Sequence, residues 1–245
     1  MNNRFEQRII MVTGATTGLG RALCLALARE GANVIALARS EDGLADIQSH
    51  IEKAGGRCLC VPFDLTSFEA YDELLGGLSH HIPHLNGLVH AAGQLDRCAP
   101  MEHVKPEAFR QMLDIHLAAP NLLTRTLFPL LERAEAASVI FTACDMSQKT
   151  QPNWHGYGIA KGALRHSVEL WQMEHPKKAI RFNALNPGRM RTTSFMRAYP
   201  GLDPGTAPPP AEACEAFLYL LSDDAKDIRG QLLDAKTLLA AGGER

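Results

Sequence analysis

Aromatic side chains are scarce in this chain, at 6% of residues, and no basic stripe interleaves with the few present. Stacking on exposed bases needs both, so nucleic acid is not an expected partner. Charge of either sign is nearly balanced, with 25 Lys and Arg against 27 Asp and Glu and a net charge of -2. Bulk electrostatics therefore offer no attraction to nucleic acid or to an anionic membrane. No apolar run approaches the length of a membrane span. The opening residues, Met1-Asn2-Asn3-Arg4-Phe5-Glu6-Gln7-Arg8, carry no apolar secretory segment, which leads to the expectation of a cytoplasmic protein. The six cysteines (Cys24, Cys58, Cys60, Cys98, Cys144, Cys214) are scattered, and Cys58-Leu59-Cys60 lacks the spacing of a zinc knuckle. Reduced thiols and no metal site are expected.

What the chain does have is a regular alternation. Short β-branched runs span residues 8–13, 33–38, 57–62, 85–90, 138–142, 180–185 and 231–235. Helical patterns span residues 18–30, 41–54, 67–78, 106–133, 156–173 and 211–221. Strand–helix alternation of this kind predicts an α/β fold, a doubly wound parallel sheet of about seven strands with helices on both faces. The runs are almost continuously apolar, as strands buried on both faces must be. With no internal repeat and no long linker, residues 1–245 are read as a single domain. Gly and Pro cluster between Tyr199 and Pro210, which predicts a flexible substrate loop near residues 190–210. The last residues, ending Gly242-Gly243-Glu244-Arg245, are expected to fray.

The first strand runs directly into Thr13-Gly14-Ala15-Thr16-Thr17-Gly18-Leu19-Gly20, and a helix follows. Glycines there permit a tight turn and close backbone approach, while free N–H groups and the helix dipole favour a pyrophosphate. At the end of the second strand, folds that select NAD place an acid against the ribose 2′-hydroxyl. This chain has Ala38 followed by Arg39. A guanidinium binds a 2′-phosphate that an acid would repel, so NADP(H) is expected over NAD(H). The competing reading makes Arg39 a solvated loop cation or a group that stacks on adenine.

Farther along, Tyr157 and Lys161 stand four residues apart, on one face of a helix. An ammonium beside a phenol favours the phenolate and lowers its pKa, which suits proton transfer near neutral pH. Loop, element order and Tyr–Lys pair together resemble the short-chain dehydrogenase/reductase family, with its Rossmann fold, across nearly the whole chain. Thr13 to Gly20 is similar to the family's Thr-Gly-x-x-x-Gly-x-Gly loop, which includes Gly14, Thr16, Thr17, Gly18 and Leu19. Asp64-Leu65 matches the acid that binds adenine. Ala91-Ala92-Gly93 keeps the end of the family's Asn-Asn-Ala-Gly segment. Pro187-Gly188 and Thr192 resemble the stretch that holds the nicotinamide carboxamide.

Two positions depart from the family pattern. The family's catalytic serine, thirteen residues before the tyrosine, is Cys144 here, and the asparagine of its long fourth helix is His116. A thiol is a weaker donor than a hydroxyl. Several readings of Cys144 stand open: a partial replacement, substitution by Ser147 if the loop bends, a buried inert thiol with no role, and a redox-sensitive thiol. His116, with an unperturbed imidazole titrating near neutrality, either holds a water near the lysine or fills the core as a structural polar residue.

The resemblance implies an NADP(H)-dependent oxidoreductase that interconverts a carbonyl and an alcohol, with Tyr157 as acid and base and Lys161 lowering its pKa. The substrate is expected to be a moderately apolar small molecule contacted from His103, Met146, Trp154, His155, Met190, Phe195 and Met196. A cofactor-binding protein with weak or no catalysis is the alternative that Cys144 and His116 raise. An acyl-carrier or enoyl reductase is a third reading, disfavoured because those members usually keep the serine. The family also implies a homodimer or homotetramer.

Overall fold

A computed structural model describes residues 3–242. Seven strands form one sheet: β1 (Ile9–Thr13), β2 (Asn33–Ala38), β3 (Arg57–Pro62), β4 (Gly87–His90), β5 (Ala137–Thr142), β6 (Ile180–Asn186) and β7 (Leu232–Asp234). Their spatial order is β3-β2-β1-β4-β5-β6-β7, and every pairing is parallel. The helices are α1 (Gly18–Arg29), α2 (Glu41–Lys53), α3 (Tyr71–His81), α4 (Pro106–Leu113), α5 (Ala119–Glu132), α6 (His155–Glu174), α7 (Thr193–Ala198), α8 (Cys214–Leu221) and α9 (Ala235–Gly242). The expected three-layer doubly wound fold is what forms.

The apolar character of the strands follows from their position. Side chains alternate across the sheet, and both faces are covered. On β5, Ile140 packs into the core layer with Leu23, Leu27, Ile47 and Phe217. Its neighbours Val139 and Phe141 enter the opposite layer with Leu123, Leu127 and Leu164. A run that was polar at every second position would expose one of these layers.

Several element boundaries differ from the sequence expectation. Leu85 and Asn86 precede the regular part of β4, although Asn86 N–H still bonds Ile9 O at 2.9 Å. The helices expected from residues 67 and 211 begin as single 3-10 turns, Phe68–Ala70 and Pro210–Ala213. Helices α7 and α9 were missed: α7 is short and lies beside the Gly/Pro cluster that reads as loop. That cluster also holds a 3-10 turn at Pro204–Thr206. The fraying expected at the chain end falls mostly outside the described residues.

The main difference is at residues 106–133, expected to be one helix. A π-helical turn, Asp114–Ala118, separates α4 from α5. Pro120 supplies the reason, because it has no N–H to return to His116 O. The ladder instead widens, with Ala119 N–H bonding Asp114 O, five residues back. Asn121 Nδ2 donates to the Leu117 carbonyl at 2.8 Å, and Trp171 Nε1 donates to Asn121 Oδ1 at 3.0 Å, tying the widened turn to α6.

Strand order reverses between β1 and β4, because the chain leaves β1 toward β2 and β3 and returns on the other side. The loops after β1 and β4 diverge there and open a crevice at the carboxyl edge. Thr13 ties the two loop starts together: its buried hydroxyl oxygen accepts from Ala91 N–H at 3.1 Å and Ala92 N–H at 3.0 Å. We expect Thr13→Val to destabilise the fold by about 2 kcal/mol in urea unfolding, since two backbone donors lose their partner, and Thr13→Ser to recover most of the loss. Equal stability of Thr13→Val and the parent would contradict this role.

Candidate active site

The loop between β1 and α1 is shaped by its glycines. Gly14 has φ +67°, and a Cβ there would lie 2.7 Å from Ala92 Cα. Gly20 has its own constraint, since a Cβ would sit 2.2 Å from Gly14 O, so α1 starts directly against the turn. Thr17 caps α1 in extended conformation without a side-chain bond to the helix, and no acid occupies the first turn. Backbone N–H groups at that end are left for an anion, and the dipole favours one. The residues present therefore suit a phosphate-bearing cofactor.

Two adjoining cavities share Gly14, Thr17, Ala92 and Gly93. One extends over β2 and β3, where Thr16, Ala38, Arg39, Asp64 and Leu65 line it. Asp64 accepts from Thr66 N–H at 2.8 Å and from Thr66 Oγ1 at 2.7 Å. The Thr66 backbone donor, with the Thr66 hydroxyl and the charge of Arg39 adding to it, holds that carboxyl below the usual carboxylate range. The other cavity runs over β4, β5 and β6 to Cys144, Tyr157, Lys161, Gly188 and Thr192. Leu19, Ala91 and Pro187 line it as well. The structure thus brings the residues expected to bind cofactor or take part in catalysis to these two cavities, except Gly20, which packs behind the turn.

The far side of the second cavity is held by a polar clamp that sequence reasoning missed. Asn186, at the end of β6, accepts from Gly188 N–H at 3.0 Å and donates to Asp145 at 2.9 Å. Gly188 needs its φ of +77°, although no atom crowds it. Thr192 caps α7, accepting from Phe195 N–H at 3.2 Å, and its methyl faces Gly18 across the cleft. Asn186 could have been found from its place before Pro187-Gly188.

The Tyr157–Lys161 pair is not arranged as its spacing suggests. Lys161 is buried, and its Nζ donates to the Thr142 carbonyl at 2.6 Å, 5.8 Å from the Tyr157 ring centre. Burial lowers the lysine pKa. The Tyr157 phenol is pushed well above its ordinary value, first by burial and then by the adjoining Cys144 thiol. The expected lowering by the ammonium is therefore corrected: desolvation outweighs it, and Tyr157 stands as a neutral proton donor.

His116 is likewise not a near-neutral titrating group. It sits in the π turn with its ring edge against Tyr157, centroids 4.7 Å apart at 78°. Its Nε2 donates to Gln94 O at 2.6 Å. A carbonyl only accepts, so Nδ1 carries the lone pair, and that atom is buried without a partner. Burial brings the pKa down to about 3. Gly93 makes room, because a Cβ there would lie 2.5 Å from His116 Cε1. His90, which lines the same small cavity as His116 and Lys161, behaves alike: Nε2 bonds Thr124 Oγ1 at 2.8 Å, and burial lowers its pKa to about 3. A water-sized cavity lies among His90, His116, Thr142 and Lys161.

Ser147 does not take the place of the missing serine. Its hydroxyl turns back to accept from Cys144 N–H at 3.3 Å, while the Cys144 sulfur faces the Ser147 N–H. Cys144 lines the cavity and Ser147 does not. Of the residues expected to meet substrate, Met146, Trp154, Met190 and Phe195 form cavity wall. His103 and Met196 lie elsewhere, and His155 is buried with Nε2 bonded to Arg97 O at 3.1 Å. Among the described residues no cluster of His, Cys, Asp or Glu is arranged to hold a metal, and no helix is long and apolar enough to cross a membrane.

A family model described as short chain dehydrogenase matches residues 8–202. The chain is 32% identical over 234 residues to "Uncharacterized oxidoreductase YciK" of Escherichia coli (strain K12), covering 94% of this chain and 92% of that protein. A solved short chain dehydrogenase from Pseudomonas syringae superposes with a TM-score of 0.93 at 35% identity, covering 96% of this chain and 97% of the other. Another, from Shigella flexneri 2a str. 301 and complexed with NADP, gives 0.93 at 32% identity over 96% of this chain and all (100%) of its own.

The two buried histidines predict acid sensitivity. Unfolded, each takes up a proton near pH 6.5; folded, each refuses it until about pH 3. The unfolded state binds more protons in that window, so stability is complete above about pH 6.5 and is lost as pH falls through it. Urea-unfolding free energies measured from about pH 7 to about pH 4 should fall by up to about 1.4 kcal/mol per pH unit for each histidine. His116→Asn should make the fall shallower by one histidine's share, and an unchanged slope in that variant would contradict the assignment.

Proposed function

The chain belongs to the short chain dehydrogenase family of oxidoreductases, and on that premise we propose that it interconverts a carbonyl and an alcohol using NADP(H). The observation that carries this reading is the placement of Tyr157, Cys144 and Lys161 in the cavity that adjoins the glycine turn. NADPH, when bound, supplies the hydride. Tyr157, kept protonated by its surroundings, donates its proton to the developing alkoxide. Cys144 offers a weak hydrogen bond to the same oxygen. Lys161 holds the ribose hydroxyls.

In this reading Gly14, Thr16, Thr17, Gly18, Leu19 and Gly20 cradle the phosphates at the start of α1. Asp64 and Leu65 flank the adenine, and Ala91, Ala92 and Gly93 form the floor. Pro187, Gly188 and Thr192 hold the carboxamide. Arg39 receives the 2′-phosphate, which favours NADP(H) over NAD(H); the NADP complex of the Shigella flexneri relative supports the same choice. The free thiols suit a reducing cytoplasm. Exposed Ile159, Leu170 and Met173 on α6 suit contact with a second copy in a homodimer or homotetramer.

A second reading, cofactor binding with weak catalysis, is favoured by one observation: Ser147 is turned into its own loop, so a thiol is the remaining donor at that position. Losing a good oxyanion donor costs about 10²–10³ in rate. Turnover of a ketone, aldehyde and quinone panel with NADPH decides between the two readings. Tyr157→Phe should abolish turnover while NADPH affinity stays within about twofold, and Cys144→Ser should raise kcat by roughly tenfold or more. Retained activity in Tyr157→Phe would refute the acid role, and an unchanged Cys144→Ser would remove the compromised-donor account.

For the cofactor, calorimetry should show NADPH binding at least about tenfold tighter than NADH, with the gap closing in Arg39→Ala. Equal affinities in the unmutated protein would end the claim of preference.

A further inference from the structure

The cavity wall concentrates the few aromatics of the chain. Of four tyrosines and two tryptophans, Tyr157, Tyr199 and Trp154 all lie there. They form a ladder: Tyr157 to Trp154 at 5.5 Å between ring centres, Trp154 to Tyr199 at 6.2 Å, and Tyr199 to Phe195 at 5.3 Å. Arg189 stands against the third ring of this ladder, its guanidinium carbon 4.8 Å from the centre of the Tyr199 ring. Arg189 lines the same cavity as Tyr157 and Cys144 and is exposed to it.

Among the described residues, that guanidinium makes no salt bridge. The acid in the cavity wall, Asp145, instead accepts from Asn186. The Tyr199 ring beside the guanidinium carbon helps hold the group in place, and no acid among the described residues occupies its N–H fork. A fork presented this way matches a carboxylate through two parallel hydrogen bonds. The aromatic ladder between Arg189 and the Tyr157 hydroxyl suits a flat apolar body.

We propose that Arg189 is a specificity-determining residue that binds a carboxylate of the substrate, so that the preferred substrates are carbonyl acids whose charge and reacting carbon lie at opposite ends of an apolar, ring-sized body. This rests on the carbonyl–alcohol reading above. It goes beyond it by requiring an anion at a stated place.

The test compares 4-formylbenzoate with 4-formylbenzamide, which has nearly the same shape without the charge, at saturating NADPH. The unmutated protein should reduce the acid with kcat/KM about tenfold above the amide, the difference lying in KM. Arg189→Met should remove that preference and leave the amide unchanged, while Arg189→Lys should restore part of it. NADPH affinity should be the same in all three proteins. Equal kcat/KM for acid and amide in the unmutated protein would overturn the proposal. So would a loss of NADPH affinity in Arg189→Met, which would assign the guanidinium to the cofactor. Calorimetric binding of the two aldehydes to the NADP-loaded protein separates this proposal from the activity. Acid binding that depends on Arg189 without turnover would uphold the anion site and sink the carbonyl-reduction reading. No preference for the acid in binding or in turnover would sink the anion site alone.

Discussion

The reversal of strand order between β1 and β4 is the constraint on which the rest depends. A parallel sheet wound in both directions must leave a gap where the windings part, and here the gap is bridged by one side chain. The Thr13 hydroxyl accepts two N–H groups from the loop after β4. That fixes Ala91-Ala92-Gly93 against Gly14, where a Cβ on Gly14 would meet Ala92, while the bare Gly93 leaves room for the His116 ring. The phosphate-suited turn and the wall beneath His116 are thus parts of one packed unit.

Behind that unit, burial sets the protonation of the polar groups. Lys161, His90 and His116 surround a small cavity, and each is pushed toward its neutral form. Tyr157 is pushed toward its neutral form as well. A site built around an ammonium–phenolate pair would need the lysine turned to the phenol. Here the lysine is turned to the Thr142 carbonyl, so the phenol begins as an acid. The π turn forced by Pro120 sets His116 edge-on to the phenol and completes the arrangement.

Much of this was legible in the sequence. Continuous apolar runs alternating with helical patterns gave the sheet and its layers, because two-face burial leaves no freedom for polar alternation. The glycine spacing gave the turn, since φ and contact demands at Gly14 and Gly20 admit little else. Less legible were features that arise from packing between distant segments. Pro120 was visible inside the helical run, but its effect depends on Asn121 and Trp171 receiving the widened turn. The pKa directions of Tyr157 and His116 depend on how deeply each lies, which local spacing does not encode. The rotation of Ser147 into its own loop, and the approach of the Arg189 guanidinium to the Tyr199 ring, likewise join residues whose relation only the fold sets.

The central claim is that the crevice at the strand reversal binds NADP(H) with its reactive end against Tyr157 and Cys144. A crystal structure grown with NADPH tests it most directly. The account predicts the 2′-phosphate beside Arg39, the pyrophosphate on the Gly14–Gly20 turn, and the nicotinamide between Gly188 and the Tyr157 hydroxyl. A crevice that stays empty at saturating NADPH, or a nicotinamide facing away from Tyr157 and Cys144, would contradict it.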